Sequence, residues 1–264
     1  MKKRMLLYLA GTELAWRNSN YWLDFEKGQK ILTSYYYARK FSDNMINKIL
    51  SCIGGPENLL LDSGAFTFRF HKDNRENIEK YTEQYIEFIN KWNIKYFFEM
   101  DIDNTLEELP QVLKLREQIE QGTGKKSIPV WHLNRGIQHW KDIVERYDYI
   151  AIGGITSSLE PQYEKTIKQM VKYANSKNTK VHGLGYIRKN VLEFGFYSVD
   201  ATSWNAGQYG GIWHFNREDG YPKRRNRDLK HRIKTDKQSD LAKHNFKVWT
   251  QYQKYLLDKG YWRQ

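Results

Sequence analysis

Two short segments carry the residues best suited to chemistry. The apolar run Leu59-Leu60-Leu61 ends in Asp62-Ser63-Gly64, and Tyr197-Ser198-Val199 ends in Asp200-Ala201-Thr202. A carboxylate at the end of an apolar strand can serve as nucleophile, as proton donor or acceptor, or as the cap of the next helix. Four other runs end in a similar way. Phe97-Phe98 leads into Glu99-Met100-Asp101-Ile102-Asp103, and Pro129-Val130-Trp131 into His132-Leu133-Asn134. Ile150-Ala151-Ile152 leads into Gly153-Gly154, and Lys180-Val181 into His182-Gly183-Leu184-Gly185. Paired glycines let a planar ligand approach backbone N–H groups. His132 and His182 are either ligand contacts or satisfied core histidines. Asp101 and Asp103 have the look of a divalent-metal pair, but no clear His or third acid accompanies them, so no metal is expected.

These ends matter if one architecture gathers them. Short apolar runs at Met5–Ala10, Asn58–Leu61, Tyr96–Met100, Ile128–Leu133, Tyr149–Ile155, Lys180–Leu184 and Phe196–Val199 alternate with amphipathic segments. Asn77–Trp92 places Ile78, Tyr81, Tyr85, Ile86, Phe88 and Ile89 at helical spacing, and Leu106–Gln121, Ile137–Tyr147 and Pro161–Asn175 read the same way. Strand alternating with helix implies parallel pairing through helical crossovers. Seven strands are clear. An eighth is expected at Gly211–Phe215, and Ile31–Tyr37 adds an irregular strand or helix. Eight strands close a TIM-type (β/α)₈ barrel, in which loops at the carboxyl ends of the strands build the site. The expectation is an α/β class chain with one barrel domain over residues 1–264, a basic loop over 217–237 and a final helix over 240–257.

Composition agrees with this architecture and suggests a partner. At 264 residues the chain matches one barrel, and 40% hydrophobic content is enough for a large core. A net charge of +12 favours a polyanion, with nucleic acid first, unless the chain is merely rich in lysine. Lys223, Arg224, Arg225, Arg227, Lys230 and Arg232 crowd the 217–237 segment and are the expected phosphate contacts. A single cysteine, Cys52, excludes internal disulfides and thiolate-rich zinc sites, and points to a reducing cytoplasmic setting. The apolar stretch Met5–Ala10 is too short for a signal peptide. No stretch reaches the ~20 apolar residues of a membrane span, so no membrane partner is expected.

Taken in order, the strand-end motifs resemble the tRNA-guanine/queuine transglycosylase superfamily, especially its phage and DNA-modifying branch, the DNA-guanine transglycosylases. The family's first motif, Asp-Ser-Gly-Gly-Phe-Gln after an apolar strand, is matched by Asp62-Ser63-Gly64-Ala65-Phe66. A later glycine pair that meets the base is matched by Gly153-Gly154. A Gly-x-Gly element is matched by Gly183-Leu184-Gly185, and the nucleophile-bearing strand end by Asp200-Ala201-Thr202-Ser203-Trp204. The ordered set covers about residues 58–204.

The resemblance implies a TIM barrel that replaces guanine in nucleic acid with a 7-deazaguanine derivative through a covalent aspartyl-glycosyl intermediate. It implies Asp200 as nucleophile and Asp62 as proton shuttle. It implies base contacts from Asp101, His132, Gly153, Gly154, Gly183, Gly185, Ser63 and Phe66, with Phe66, Trp204 or Tyr186 stacking on the base. The base-recognising acid falls on Asp101, with Glu99 and Asp103 as neighbouring registers, whereas the family's base-reading glutamine after the next strand has no clear match, with His132 or Asn134 standing nearby. The chain departs from the family's first motif at Ala65, which stands in place of the fourth-position glycine, and from the tRNA enzymes in two further respects. One cysteine cannot build their Cys₃His zinc site, and Trp204-Asn205-Ala206-Gly207-Gln208 replaces the arginine pair that follows their nucleophile. DNA is therefore the expected acceptor rather than tRNA, in a host cytoplasm if the chain is phage-encoded. Three readings stand beside base exchange: a glycosidase that hydrolyses the same bond, a non-catalytic nucleic-acid-binding barrel, and a metal-dependent hydrolase using Asp101 and Asp103.

Overall fold

A computed structural model describes residues 4–13, 23–70, 77–102, 108–154, 161–205, 211–226 and 235–259. Its centre is a ring of eight parallel strands: β1 (Leu6–Ala10), β2 (Ile31–Ser34), β3 (Leu59–Asp62), β4 (Tyr96–Phe97), β5 (Val130–Trp131), β6 (Tyr149–Ile152), β7 (Lys180–Gly183) and β8 (Ser198–Ala201). They pair in the order 4-3-2-1-8-7-6-5. The ends of that order meet through a parallel bridge between Phe98 and Ile128. There Ile128 N–H donates to Phe97 O at 2.8 Å and Glu99 N–H to Ile128 O at 3.2 Å. The fold is thus a TIM-barrel-like α/β ring.

Around the ring lie α1 (Tyr35–Ala38), α2 (Asp43–Ile53), α3 (Ala65–Phe70), α4 (Ile78–Lys91), α5 (Leu109–Thr123), α6 (Gly136–Arg146), α7 (Pro161–Ser176) and α8 (Thr235–Lys259). Local sequence sets their ends. Ser42 and Asn77 accept backbone N–H groups at the starts of α2 and α4. Gly54 and Gly124 end α2 and α5 in the left-handed region, at φ 85° and 64°. Helical periodicity sets what each buries: α4 turns Tyr81, Tyr85 and Ile89 inward, and α6 turns Trp140, Ile143 and Val144.

Strand alternation builds two apolar layers. One lies between strands and helices and includes Leu7, Leu9, Leu61, Ile150, Ile152 and Val199. The other fills the ring with Tyr8, Ala10, Leu32, Leu60, Phe98, Val130, Tyr149 and Ala151. Each buried Leu, Ile, Val or Phe side chain among these contributes about 1.5–3 kcal/mol relative to exposure. The period of two then determines what faces the mouth. One step of two past interior Leu60 is Asp62, past Val130 is His132, and past Ala151 is Gly153.

Two boundaries differ from the sequence expectation. The eighth barrel strand is Ile31–Ser34, not Gly211–Phe215. Gly211–His214 forms β9, which pairs antiparallel with β10 (Lys223–Asn226) outside the ring. Buried Asn245 of α8 explains the detachment, because it accepts from Trp213 N–H and donates to Gly211 O, both at 2.9 Å. Part of the expected basic loop is therefore a strand, residues 227–234 lie outside those described, and the last helix starts at Thr235. Strands β4 and β5 are also shorter than their apolar runs. Val130 N–H donates to the Glu99 carboxylate at 2.8 Å instead of continuing a backbone ladder.

Candidate active site at the carboxyl ends of the strands

Asp62 ends β3 with Ser34 of β2 as its register partner. The turn after it is tightly defined. Gly64 has φ 71°, and a Cβ there would lie 2.6 Å from Tyr36 Cβ. The Gly64 N–H donates to Asp62 Oδ2 at 3.1 Å. Tyr81 and Tyr85 hold the same segment from below, donating to Ser63 O at 2.8 Å and Leu61 O at 3.3 Å. Burial, then the negative charge of Asp101, pushes the Asp62 carboxyl up to about 7, against the opposing pull of the Gly64 N–H. Asp62 is thus poised to hold or release a proton near neutrality.

Asp200 is the penultimate residue of β8 and is 8% exposed. Its Oδ1 accepts the Gly185 N–H at 2.7 Å and faces His182 Nε2 at 3.2 Å. Among the described residues no hydrogen bond falls on Oδ2. One oxygen is held and the other is open.

Asp101 and His132 form a second polar pair. His132 Nε2 stands 3.3 Å from Asp101 Oδ2, and Ser63 Oγ lies 3.5 Å from Oδ1. His132 packs against Gly153 so closely that a Cβ there would lie 2.5 Å from the ring. Gly153 spends its own N–H on Trp131 O at 2.8 Å, whereas exposed Gly154 turns at φ 71°.

The neighbouring acids separate by environment. Glu99 is fully buried, with Arg116 on one oxygen and Arg135 on the other. Burial alone would raise its pKa, but the two guanidinium groups outweigh this and hold it below the usual carboxylate range. Glu99 is therefore a structural ion-pair centre, which leaves Asp101 as the acid at the mouth. Asp103 lies outside the described residues. Glu13, absent from the expected site residues, is buried, accepts Ser34 N–H at 3.0 Å and adds negative charge near Asp62. It follows β1 as Gly11-Thr12-Glu13, so the strand-end rule applied to β1 would have found it.

Several expected base contacts have other partners. The Gly185 N–H serves Asp200. Gly183 packs 3.0 Å from the Phe196 ring, measured from where a Cβ would stand. Trp204 is fully buried and donates to Ala10 O at 2.7 Å, while Tyr186 is buried against Phe194 and Phe196. Neither ring is free to stack on a base. The Phe66 side chain lies outside the described residues. Of the basic cluster, Lys223, Arg224 and Arg225 are exposed on β10, with Lys223 bonded to Asp219 at 2.6 Å. Arg227, Lys230 and Arg232 lie outside the described residues. The hairpin packs against the turn that follows β8, since Trp213 Nε1–H donates to Ser203 O at 2.7 Å.

Among the described residues no group of three or more His, Cys, Asp or Glu is placed to hold a metal ion. The one cysteine, Cys52, sits in α2 and cannot supply a thiolate-rich zinc site. Nor is any described helix long and apolar enough to cross a membrane.

Fold and site together define a TIM-barrel-like protein with two separated acid–imidazole pairs, Asp101–His132 and Asp200–His182, and a third carboxyl group, Asp62, at its mouth. No family model matches the chain, and no curated protein matches it. Among solved structures, a putative fructose-1,6-biphosphate aldolase from Coccidioides immitis is similar, with a TM-score of 0.54 at 9% identity. The match covers 97% of this chain and 90% of that one. At that identity the likeness is one of fold.

Proposed function

We propose that this protein is a base-exchange glycosyltransferase that replaces guanine in nucleic acid, DNA in preference to tRNA, with a 7-deazaguanine derivative. The observation that carries the reading is the contrast between two strand-end carboxyl groups. Asp62 titrates near 7, whereas Asp200 has one oxygen held by the Gly185 N–H and the other open.

Base exchange needs this division. The open Asp200 oxygen bonds to C1′ of the sugar while the bond from C1′ to the guanine ring nitrogen breaks, and the electron pair leaves with the base. Protonated Asp62 gives its proton to the departing base. In the return step ionised Asp62 takes a proton from the incoming base, whose nitrogen bonds to C1′ and releases Asp200 as carboxylate. A group with a pKa of about 7 serves in both directions near neutral pH. Asp101, paired with His132, would accept the N–H groups of guanine, and Gly154 would offer backbone to its carbonyl. The base must be flipped out or single-stranded to enter the mouth. The hairpin on the turn after β8, with exposed Arg224 and Arg225, supports contact to phosphates.

The test is incubation of DNA and tRNA, separately, with labelled guanine or a labelled 7-deazaguanine. Wild-type protein should incorporate label into nucleic acid and Asp200→Ala should not. Release of free guanine without incorporation would favour the glycosidase, and undiminished label with Asp200→Ala would remove the nucleophile assignment.

A further inference from the structure

Beneath Asp200 runs a buried polar chain that the reaction above does not use. His182, fully buried on β7, faces Asp200 Oδ1 with Nε2 and Ser198 Oγ with Nδ1, at 3.2 and 2.7 Å. Ser198 lies 2.6 Å from the Tyr149 hydroxyl. Tyr8, also buried, stands beside the chain with its ring 6.0 Å from that of His182. Four side chains from β6, β7 and β8 thus run from the interior of the barrel to the strand-end carboxylate.

The chemistry of each group fixes the direction of this chain. Burial drives the Tyr149 phenol well above its ordinary pKa, so it keeps its proton. The His182 imidazole lies between this phenol and Asp200, beside the Phe98 and Tyr8 rings at centroid distances of 5.4 and 6.0 Å. A neutral ring has one N–H and one lone pair. A lone pair on Nε2 would confront the carboxylate oxygen, whereas an N–H there donates to it. Nδ1 is then the acceptor, and Ser198 must donate to it. The Ser198 oxygen is in turn free to accept from Tyr149.

We propose that His182 is a positioning residue for Asp200, held as the neutral Nε2–H tautomer by the Tyr149–Ser198 hydroxyl pair. Together with the Gly185 N–H it pins Oδ1 and so presents Oδ2 to the substrate. The role of the open oxygen rests on the base-exchange reading, but the tautomer and its cause do not.

Nitrogen-15 spectra of labelled protein test the tautomer without any activity. His182 should show a protonated Nε2 and a bare Nδ1 in the wild type. Ser198→Ala should shift or mix the tautomers, and so should Tyr149→Phe, more weakly. A protonated Nδ1, or a doubly protonated ring, would overturn the assignment. The activity arm uses labelled-guanine exchange. His182→Phe should lower kcat by about a hundredfold, the scale of a misplaced reacting group, with KM little changed. His182→Gln, whose amide can still donate to Oδ1, should recover a large part. A kcat within about threefold of wild type for folded His182→Phe would overturn the positioning role. Should wild-type protein exchange no base at all, the base-exchange reading fails while the spectra still decide the tautomer.

Discussion

The backbone N–H of Gly185 and the carboxylate of Asp200 are joined at 2.7 Å, on the same oxygen that faces His182. Gly185 sits at φ 63°, a conformation that glycine adopts freely and that aims its N–H at the carboxylate. Gly185→Ala should strain the turn and loosen Asp200. The expected result is a fall in kcat of tenfold or more, with a modest loss of thermal stability of about 1–2 kcal/mol. Paired kinetic and melting measurements check it.

The raised pKa of Asp62 has a consequence for stability. Its carboxyl ionises near 4 when unfolded and near 7 when folded, so the folded state holds the extra proton. Stability from this group is fully present below about pH 4 and is lost as pH rises through 7. Asp62→Asn removes that dependence. The melting temperature of the variant, measured relative to wild type, should be higher at pH 8 than at pH 5. A difference that is constant with pH would contradict the assigned environment.

Glu99 makes the opposite case. Glu99→Gln leaves Arg116 and Arg135 as buried cations without their carboxylate, and such losses cost about 3–5 kcal/mol. Denaturant unfolding should show a loss of this size. A loss under about 1 kcal/mol would mean that the arginines find other partners or water.

These two acids show what the sequence makes legible. Asp62 follows interior Leu60 by the strand period, so a pattern of apolar runs and polar ends is enough to bring it to the mouth. Glu99 and Asp101 stand two residues apart and look alike in the sequence. They differ because Arg116 and Arg135, from α5 and the segment before α6, converge on Glu99, and such long-range pairing has no local signature. The eighth strand is hidden for a related reason. Ile31–Ser34 is four residues long and runs directly into helical Tyr35–Ala38, whereas Gly211–His214 has strand-like residues but is captured by Asn245. Gly185 and Trp204 read as ligand contacts because their partners, Asp200 and Ala10, are set by the ring closing.

The hairpin prediction concerns affinity. Replacing Lys223, Arg224, Arg225 and Arg227 with glutamine should weaken nucleic-acid binding and flatten its salt dependence. On duplex DNA the slope should fall by about 0.9 for each phosphate that the variant no longer neutralises. Binding titrations from low to physiological salt check it, and an unchanged slope would remove the hairpin from the interface.

The central claim is that Asp200 bonds covalently to the sugar of the substrate. Its most direct test is to mix protein and guanine-containing nucleic acid without an acceptor base, denature rapidly and locate any adduct by peptide mass spectrometry. The account predicts a pentose-linked adduct on Asp200, abolished by Asp200→Asn. An adduct on another residue, or rapid base exchange with none on Asp200, would contradict it.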